Sequence, residues 1–218
     1  MTMNIAIDGP AGAGKSTIAK LIAKKKNYIY VDTGAMYRTL AVHFIRAGLD
    51  KDDEKRISAA CDFANVSIKY VNNEQHVYLN GEDVTLILRT EEVGNMASAS
   101  SVFPAVRNKL KELQQDLARK NDVVMDGRDI GTVILPDAQV KVFLTASSKV
   151  RAQRRFDELK LKGIECDINE IEKDIIERDY RDSHRKEAPL KQAEDAIYID
   201  SSDMTIDEVA EKILSLIK

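Results

Sequence analysis

Tryptophan is absent, cysteine occurs twice and histidine three times in a chain of 218 residues. Cys61 and Cys166 are far apart and lack the paired spacing of a zinc site or redox motif. Two isolated thiols give no disulfide framework and fit a reducing compartment. His43, His76 and His184 form no metal-ligand spacing, and no Ser/His/Asp or Cys/His nucleophile arrangement is visible. Proline (four) and glycine (ten) are too sparse for a linker or low-complexity tract. Positive charge is not in excess either. The formal net charge of -3 excludes a broadly basic nucleic-acid surface. No apolar run approaches the roughly 18 residues of a membrane span. The segment from Met1 to Asp8 reads as a first core strand, not a signal peptide. These absences predict a globular protein of the cytoplasm without nucleic-acid or membrane partners. It should be a monomer, since no long exposed apolar stripe stands out.

What is present is a regular alternation. Short runs rich in Ile and Val predict strands at Asn4–Ile7, Tyr28–Val31, Val123–Met125, Val140–Leu144 and Ala196–Ile199. Between them, helical periodicity predicts Lys15–Lys25, Ala35–Ala47, Phe103–Lys120, Lys149–Lys162, Ile168–Arg185 and Ile206–Ile217. Thr205, three residues before Glu208, predicts a capping box for the last helix. The pattern implies a three-layer α/β fold with a parallel five-stranded sheet between helices. One segment departs from it. Val66–Tyr70 and His76–Leu79 alternate apolar and polar residues across Val-Asn-Asn-Glu-Gln, the signature of a β-hairpin. It marks roughly Asp50–Asn95 as an inserted α+β subdomain carrying a small β-hairpin or sheet.

The strongest motif is Gly9-Pro10-Ala11-Gly12-Ala13-Gly14-Lys15-Ser16, a complete GxxxxGK[ST], followed by Thr17. A strand precedes it and a helix follows. Small residues let backbone N–H groups converge on phosphate oxygens at a helix N-terminus. Lys15 would reach the β- and γ-phosphates of ATP, and Ser16 would hold Mg2+. A guanine-reading NKxD element is missing, because Asn108-Lys109-Leu110-Lys111 ends in lysine, so a GTPase switch is excluded.

Anion-binding chemistry gathers at two strand ends. Asp32 and Thr33 end the second strand, where they can cap a helix or meet a ligand, and Arg38 follows one turn later. Asp126, Gly127, Arg128 and Asp129 end the third core strand, with Asp126 placed to orient magnesium through water. Arg151, Arg154 and Arg155 share one helix face by their spacing, as do Arg178, Arg181 and Arg185. Such rows often serve as salt-bridged surface. Beside a phosphate cradle they also suit phosphoryl transfer, which needs concentrated positive charge.

These residues resemble those of the bacterial cytidylate kinases. The resemblance rests on Asp8-Gly9-Pro10, Asp32-Thr33-Gly34-Ala35-Met36-Tyr37-Arg38, Arg89-Thr90-Glu91-Glu92-Val93, Asp126-Gly127-Arg128-Asp129-Ile130-Gly131-Thr132 and Arg178-Asp179-Tyr180-Arg181-Asp182. It covers nearly the whole chain. It implies a P-loop fold of one domain, with a core of about 1–49, 96–150 and 186–218, a nucleotide-binding insertion of about 50–95, and lid helices at about 149–185. It implies transfer of the ATP γ-phosphoryl group to CMP or dCMP. Ser98, Arg107 and Asp129 would read the base, Arg178 and Asp182 the sugar, and Arg38, Arg128 and Arg185 the acceptor phosphate. Thr33 would line the acceptor site, and Arg151, Arg154 and Arg155 would clamp ATP phosphates. Two other readings remain open at this stage: a kinase of another small acceptor, such as shikimate, and an ATP-sensing module that transfers nothing.

Overall fold

The computed structural model describes residues 2–72 and 74–217. Asn73, within the expected hairpin connection, lies outside the described residues, as does Met1 at the start of the expected first strand. The elements run β1 (Asn4–Asp8), α1 (Lys15–Lys26), β2 (Ile29–Asp32), α2 (Thr33–Arg46), α3 (Glu54–Ala60), β3 (Val66–Val71), β4 (Glu74–Leu79) and β5 (Glu82–Asp83). Then follow α4 (Glu91–Ser100), α5 (Pro104–Lys120), β6 (Val123–Gly127), β7 (Val140–Thr145), α6 (Ser148–Leu161), α7 (Ile168–His184), β8 (Ile197–Asp200) and α8 (Ile206–Leu214). The fold is α/β: a parallel five-stranded sheet of order β2-β6-β1-β7-β8, and a separate three-stranded sheet of order β3-β4-β5. No helix of the described residues is long and apolar enough to cross a membrane.

The chain forms two compact units. One comprises Met3–Tyr28 and the chain from Val124 onward. In it β1 pairs with β7 from Ile5 opposite Val140 to Asp8 opposite Phe143, and β7 pairs with β8. Ile5, Ile7, Val124, Met125 and Leu144 are wholly buried, as expected of strands covered on both faces. Helix α1 packs on α8, and α6 on α7. The capping box holds: Thr205 and Glu208 each receive the other's backbone N–H, satisfying two donors that the helix start would leave unpaired.

The other unit spans Ile29–Val123. Helix α2 packs against α4 and β4, and α3 against α5, around the buried Met36, Leu40, Phe44, Ile57 and Leu110. Truncating Phe44 to Ala would cost about 3–5 kcal/mol through lost burial and the cavity left behind. The hairpin strands are longer than the sequence suggests. Val66 faces Leu79 and Val71 faces Glu74, so the strands absorb Val71, Glu74 and Gln75 from the expected loop. Asn72 takes a positive φ of 51°, a conformation that asparagine adopts more readily than most residues.

Candidate active site

In the first unit the phosphate cradle is a backbone structure. Gly9, Gly12 and Gly14 have φ of 147°, 76° and 86°, all in the region L side chains avoid. A Cβ on Gly9 would lie 1.9 Å from the Leu144 carbonyl oxygen, so strand and loop touch there without room for a side chain. Gly14 starts α1 with no side-chain cap, which leaves the first amides of that helix to a ligand. Lys15 is buried, and its Nζ donates to the Pro10 carbonyl at 2.6 Å. Burial and the nearby Arg128 guanidinium depress the Lys15 pKa to about 7, against the opposing pull of Asp126 and Asp8.

The Ser16 hydroxyl donates to Asp126 Oδ2 at 2.9 Å. Two hard oxygen donors side by side, one following the cradle lysine and one at the end of β6, suit Mg2+ whose other ligands are phosphates and water. Among the described residues no cluster of three or more His, Cys, Asp or Glu could by itself hold a metal ion.

The arginine row of α6 divides into three environments. Arg151 is almost fully buried and donates to the carbonyls of Ala146 at 2.8 Å and Ala11 at 3.0 Å, and to Asp179 of α7 at 2.6 Å. Its guanidinium braces the cradle loop from behind. Arg154 donates to the Ser201 carbonyl at 2.8 Å. Arg155 is about half exposed and pairs with Glu158 at 2.8 Å. The helical wheel places these residues on one side, but only the first two are anchored to neighbouring loops.

Two ion pairs order the loop after β6. Arg128 Nε donates to Asp182 of α7 at 2.8 Å, and Arg185 Nη2 reaches Asp129 at 3.5 Å. Burial pushes the Asp182 pKa upward, but Arg128, with help from Arg178 and Arg185, outweighs it and holds the group ionised below its ordinary value. Arg185 also donates twice to the Ala188 carbonyl, at 2.8 and 2.6 Å. Arg178 is half-buried on α7, whereas Arg181 is exposed. Asp129 opens a π-type turn, Ile130–Ile134, without capping it by its own side chain.

In the second unit Asp32 is a hub. It caps α2 by accepting from the Ala35 N–H at 2.8 Å, and it accepts from Arg38 at 3.3 Å and Arg89 at 3.0 Å. Of the two expectations for this strand-end Asp, the helix cap is present, and the same carboxylate also pairs with two arginines. Gln75 of β4 bonds both the N–H and the carbonyl of Asp32, fastening hairpin to strand end. Thr33 is buried at the first position of α2. Ser98 lies on α4, and Arg107 donates to the Ser101 carbonyl at 3.1 Å with its guanidinium 5.7 Å from the Tyr37 ring centre. Sequence reasoning gave no role to Asp8, Gln75, Arg89 or Asp179; the motifs holding Asp8, Arg89 and Asp179 were visible, but their partners were not. Both cysteines are free thiols, and burial pushes Cys61 up to about 11, which leaves it inert.

The sequence model for cytidylate kinase matches residues 5–218. A cytidylate kinase of Lactobacillus johnsonii is 50% identical over 216 residues, covering 99% of this chain and 94% of that protein. One from Caldicellulosiruptor saccharolyticus is 51% identical over 214 residues, covering 98% and 95%. Among solved structures, an uncharacterized protein from Eubacterium ventriosum aligns with a TM-score of 0.53 at 15% identity, covering 100% of this chain and 98% of that one, a likeness of fold alone.

Proposed function

Since the chain belongs to the cytidylate kinase family of phosphotransferases, we propose that it converts CMP or dCMP, with ATP, to CDP or dCDP and ADP. The observation that carries this reading is the end of β6 with the loop that follows it. Asp126 stands against Ser16 of the donor cradle, and Arg128 and Asp129 each pair with an opposite charge in the same unit.

The residues follow in chemical order. The Gly9–Thr17 cradle and Lys15 bind the donor phosphates, while Arg151 keeps the loop in shape through the Ala11 carbonyl. Ser16 and Asp126 would hold Mg2+, which when bound neutralises phosphate charge. The acceptor phosphate has a second pKa of about 6 and is largely a dianion near neutrality, so no general base is needed. One of its oxygens attacks the γ-phosphorus in line as the bond to the β-phosphate oxygen breaks, and ADP leaves with that electron pair. Arg128, Arg185 and Arg38 neutralise and orient the acceptor phosphate. Asp129, with Ser98 and Arg107, reads the base: an ionised carboxylate accepts from the cytosine N4 amino group and meets only another acceptor in uracil. Arg178 and Asp182 hold the sugar, and Thr33 lines the acceptor site. Arg154 and Arg155 serve the donor phosphates as α6 and α7 close, a motion that excludes water. We place the protein in the cytoplasm as a monomer.

The test is ADP release measured across CMP, dCMP, UMP, AMP, GMP and shikimate. The two cytidine nucleotides should lead by at least an order of magnitude. ATP binding without turnover on any acceptor would favour a sensor instead.

A further inference from the structure

Asp8 is the last residue of β1, immediately before Gly9 of the cradle. The residue is 5% exposed. Its carboxylate accepts from two consecutive backbone amides, Ile130 N–H at 2.8 Å and Gly131 N–H at 2.7 Å. These are the first two residues of the π-type turn that follows Asp129. An Asp at the position before a helical turn ordinarily caps that turn itself. Here Asp129 makes no such bond, and Asp8 supplies the cap from the neighbouring strand. Asp129 is thereby left to aim its carboxylate at Arg185. Gly131 fits this contact closely, because a Cβ there would lie 3.4 Å from Asp8 Oδ2 and 3.2 Å from Lys141. Keeping a carboxylate out of water is costly, and burial raises its pKa to about 6 even with both amide bonds in place.

We propose that Asp8 is a positioning residue for the acceptor nucleotide: by capping the turn after Asp129 from the strand that opens the donor cradle, it fixes the aim of Arg128 and Asp129. The inference rests on the function proposed above. It predicts that disturbing Asp8 harms recognition of CMP more than binding of ATP, although Asp8 adjoins the ATP cradle.

Asp8→Asn keeps the shape but replaces one acceptor oxygen with a donor that confronts a backbone N–H. The KM for CMP should rise roughly tenfold, the cost of one unsatisfied buried donor, with the KM for ATP within about threefold of wild type. The CMP-to-UMP ratio of kcat/KM should narrow several-fold, because a loosened Asp129 reads the base less sharply. Gly131→Ala, which keeps the carboxylate and crowds it, should give the same pattern, and it decides the matter if Asp8→Asn does not fold. Equal rises in both KM values with an unchanged CMP-to-UMP ratio would reduce Asp8 to a general structural role and overturn the proposal. Wild-type protein inactive on CMP would instead overturn the function itself, and the Asp8 inference with it.

Discussion

Asp129 and Arg185 form an ion pair across 3.5 Å with both side chains more than nine-tenths buried. The residue proposed to read the base and one proposed to grip the phosphate therefore depend on each other. Burying a charge is unfavourable, and removing either partner takes a compensating opposite charge from the other, although Arg185 keeps its bonds to the Ala188 carbonyl.

Asp129→Asn should lower kcat/KM for CMP and narrow its advantage over UMP. The amide restores a donor toward uracil, and matched against mismatched pairing is worth about 2–4 kcal/mol. Efficiencies for both substrates, measured side by side, decide the point. Equal losses would mean that Asp129 serves only its pair with Arg185. A double-mutant cycle with Arg185→Ala should show coupling, because the two charges are in contact.

Arg128→Ala and Arg185→Ala should weaken CMP by about 1.5–3 kcal/mol and cytidine by much less, since charge-assisted bonds to phosphate are lost. Arg128 also holds Asp182, so its removal should cost cytidine more than Arg185→Ala does. Calorimetry with both ligands measures this. Equal losses for nucleotide and nucleoside would remove these arginines from the phosphate.

Lys15→Ala should cut turnover by a factor corresponding to roughly 3 kcal/mol or more while leaving CMP affinity within a few-fold. The lysine belongs to the donor cradle. Steady-state kinetics and CMP titration on one preparation test both halves, and normal turnover would contradict the cradle assignment.

The Asp8 carboxyl gives a stability signature. Its folded pKa, near 6, lies above the ordinary 3.8 through burial, with the Asp129 charge adding to the rise and Lys15 opposing it. A raised carboxyl pKa means that the folded protein binds more protons than the unfolded chain between these values. Its contribution is thus fully present below about 4 and is lost as pH climbs through 6. Asparagine does not titrate. Wild type should gain about 2 kcal/mol relative to Asp8→Asn between pH 7 and pH 4.5. Denaturant unfolding at both pH values tests it; a constant gap would mean that Asp8 is ordinary.

The sheet and its long helices were legible because buried parallel strands read as apolar runs and amphipathic helices as periodic ones. Two helices were not. Helix α3 has seven residues and buries only Ile57 among them, too little for a periodic stripe. Helix α4 contains Gly94, Asn95 and two serines, poor helix formers, and it is held by the Thr90 cap and by packing on α2. The expected insertion boundary at Asn95 falls inside it. At the site, Ser16 and Lys15 were readable from local spacing. The bond from Asp8 to Gly131 joins residues 123 apart in the chain, and no periodicity reports such a contact. Spacing grouped Arg155 with Arg151, because a helical wheel cannot know that Glu158 lies beside one and the Ala11 carbonyl beside the other.

The contact between Gly9 and the Leu144 carbonyl has a consequence for anyone wishing to redesign the donor specificity. With 1.9 Å available to a Cβ, even alanine at position 9 would have to part the cradle from β7, and the φ of 147° penalises every L side chain besides. A saturation library there should return glycine alone. The width of the phosphate seat is set by main chain against main chain, out of reach of side-chain mutagenesis. A search for altered donor preference would begin at the side chains that brace the seat, Arg151 and Asp179, which side-chain substitution can reach.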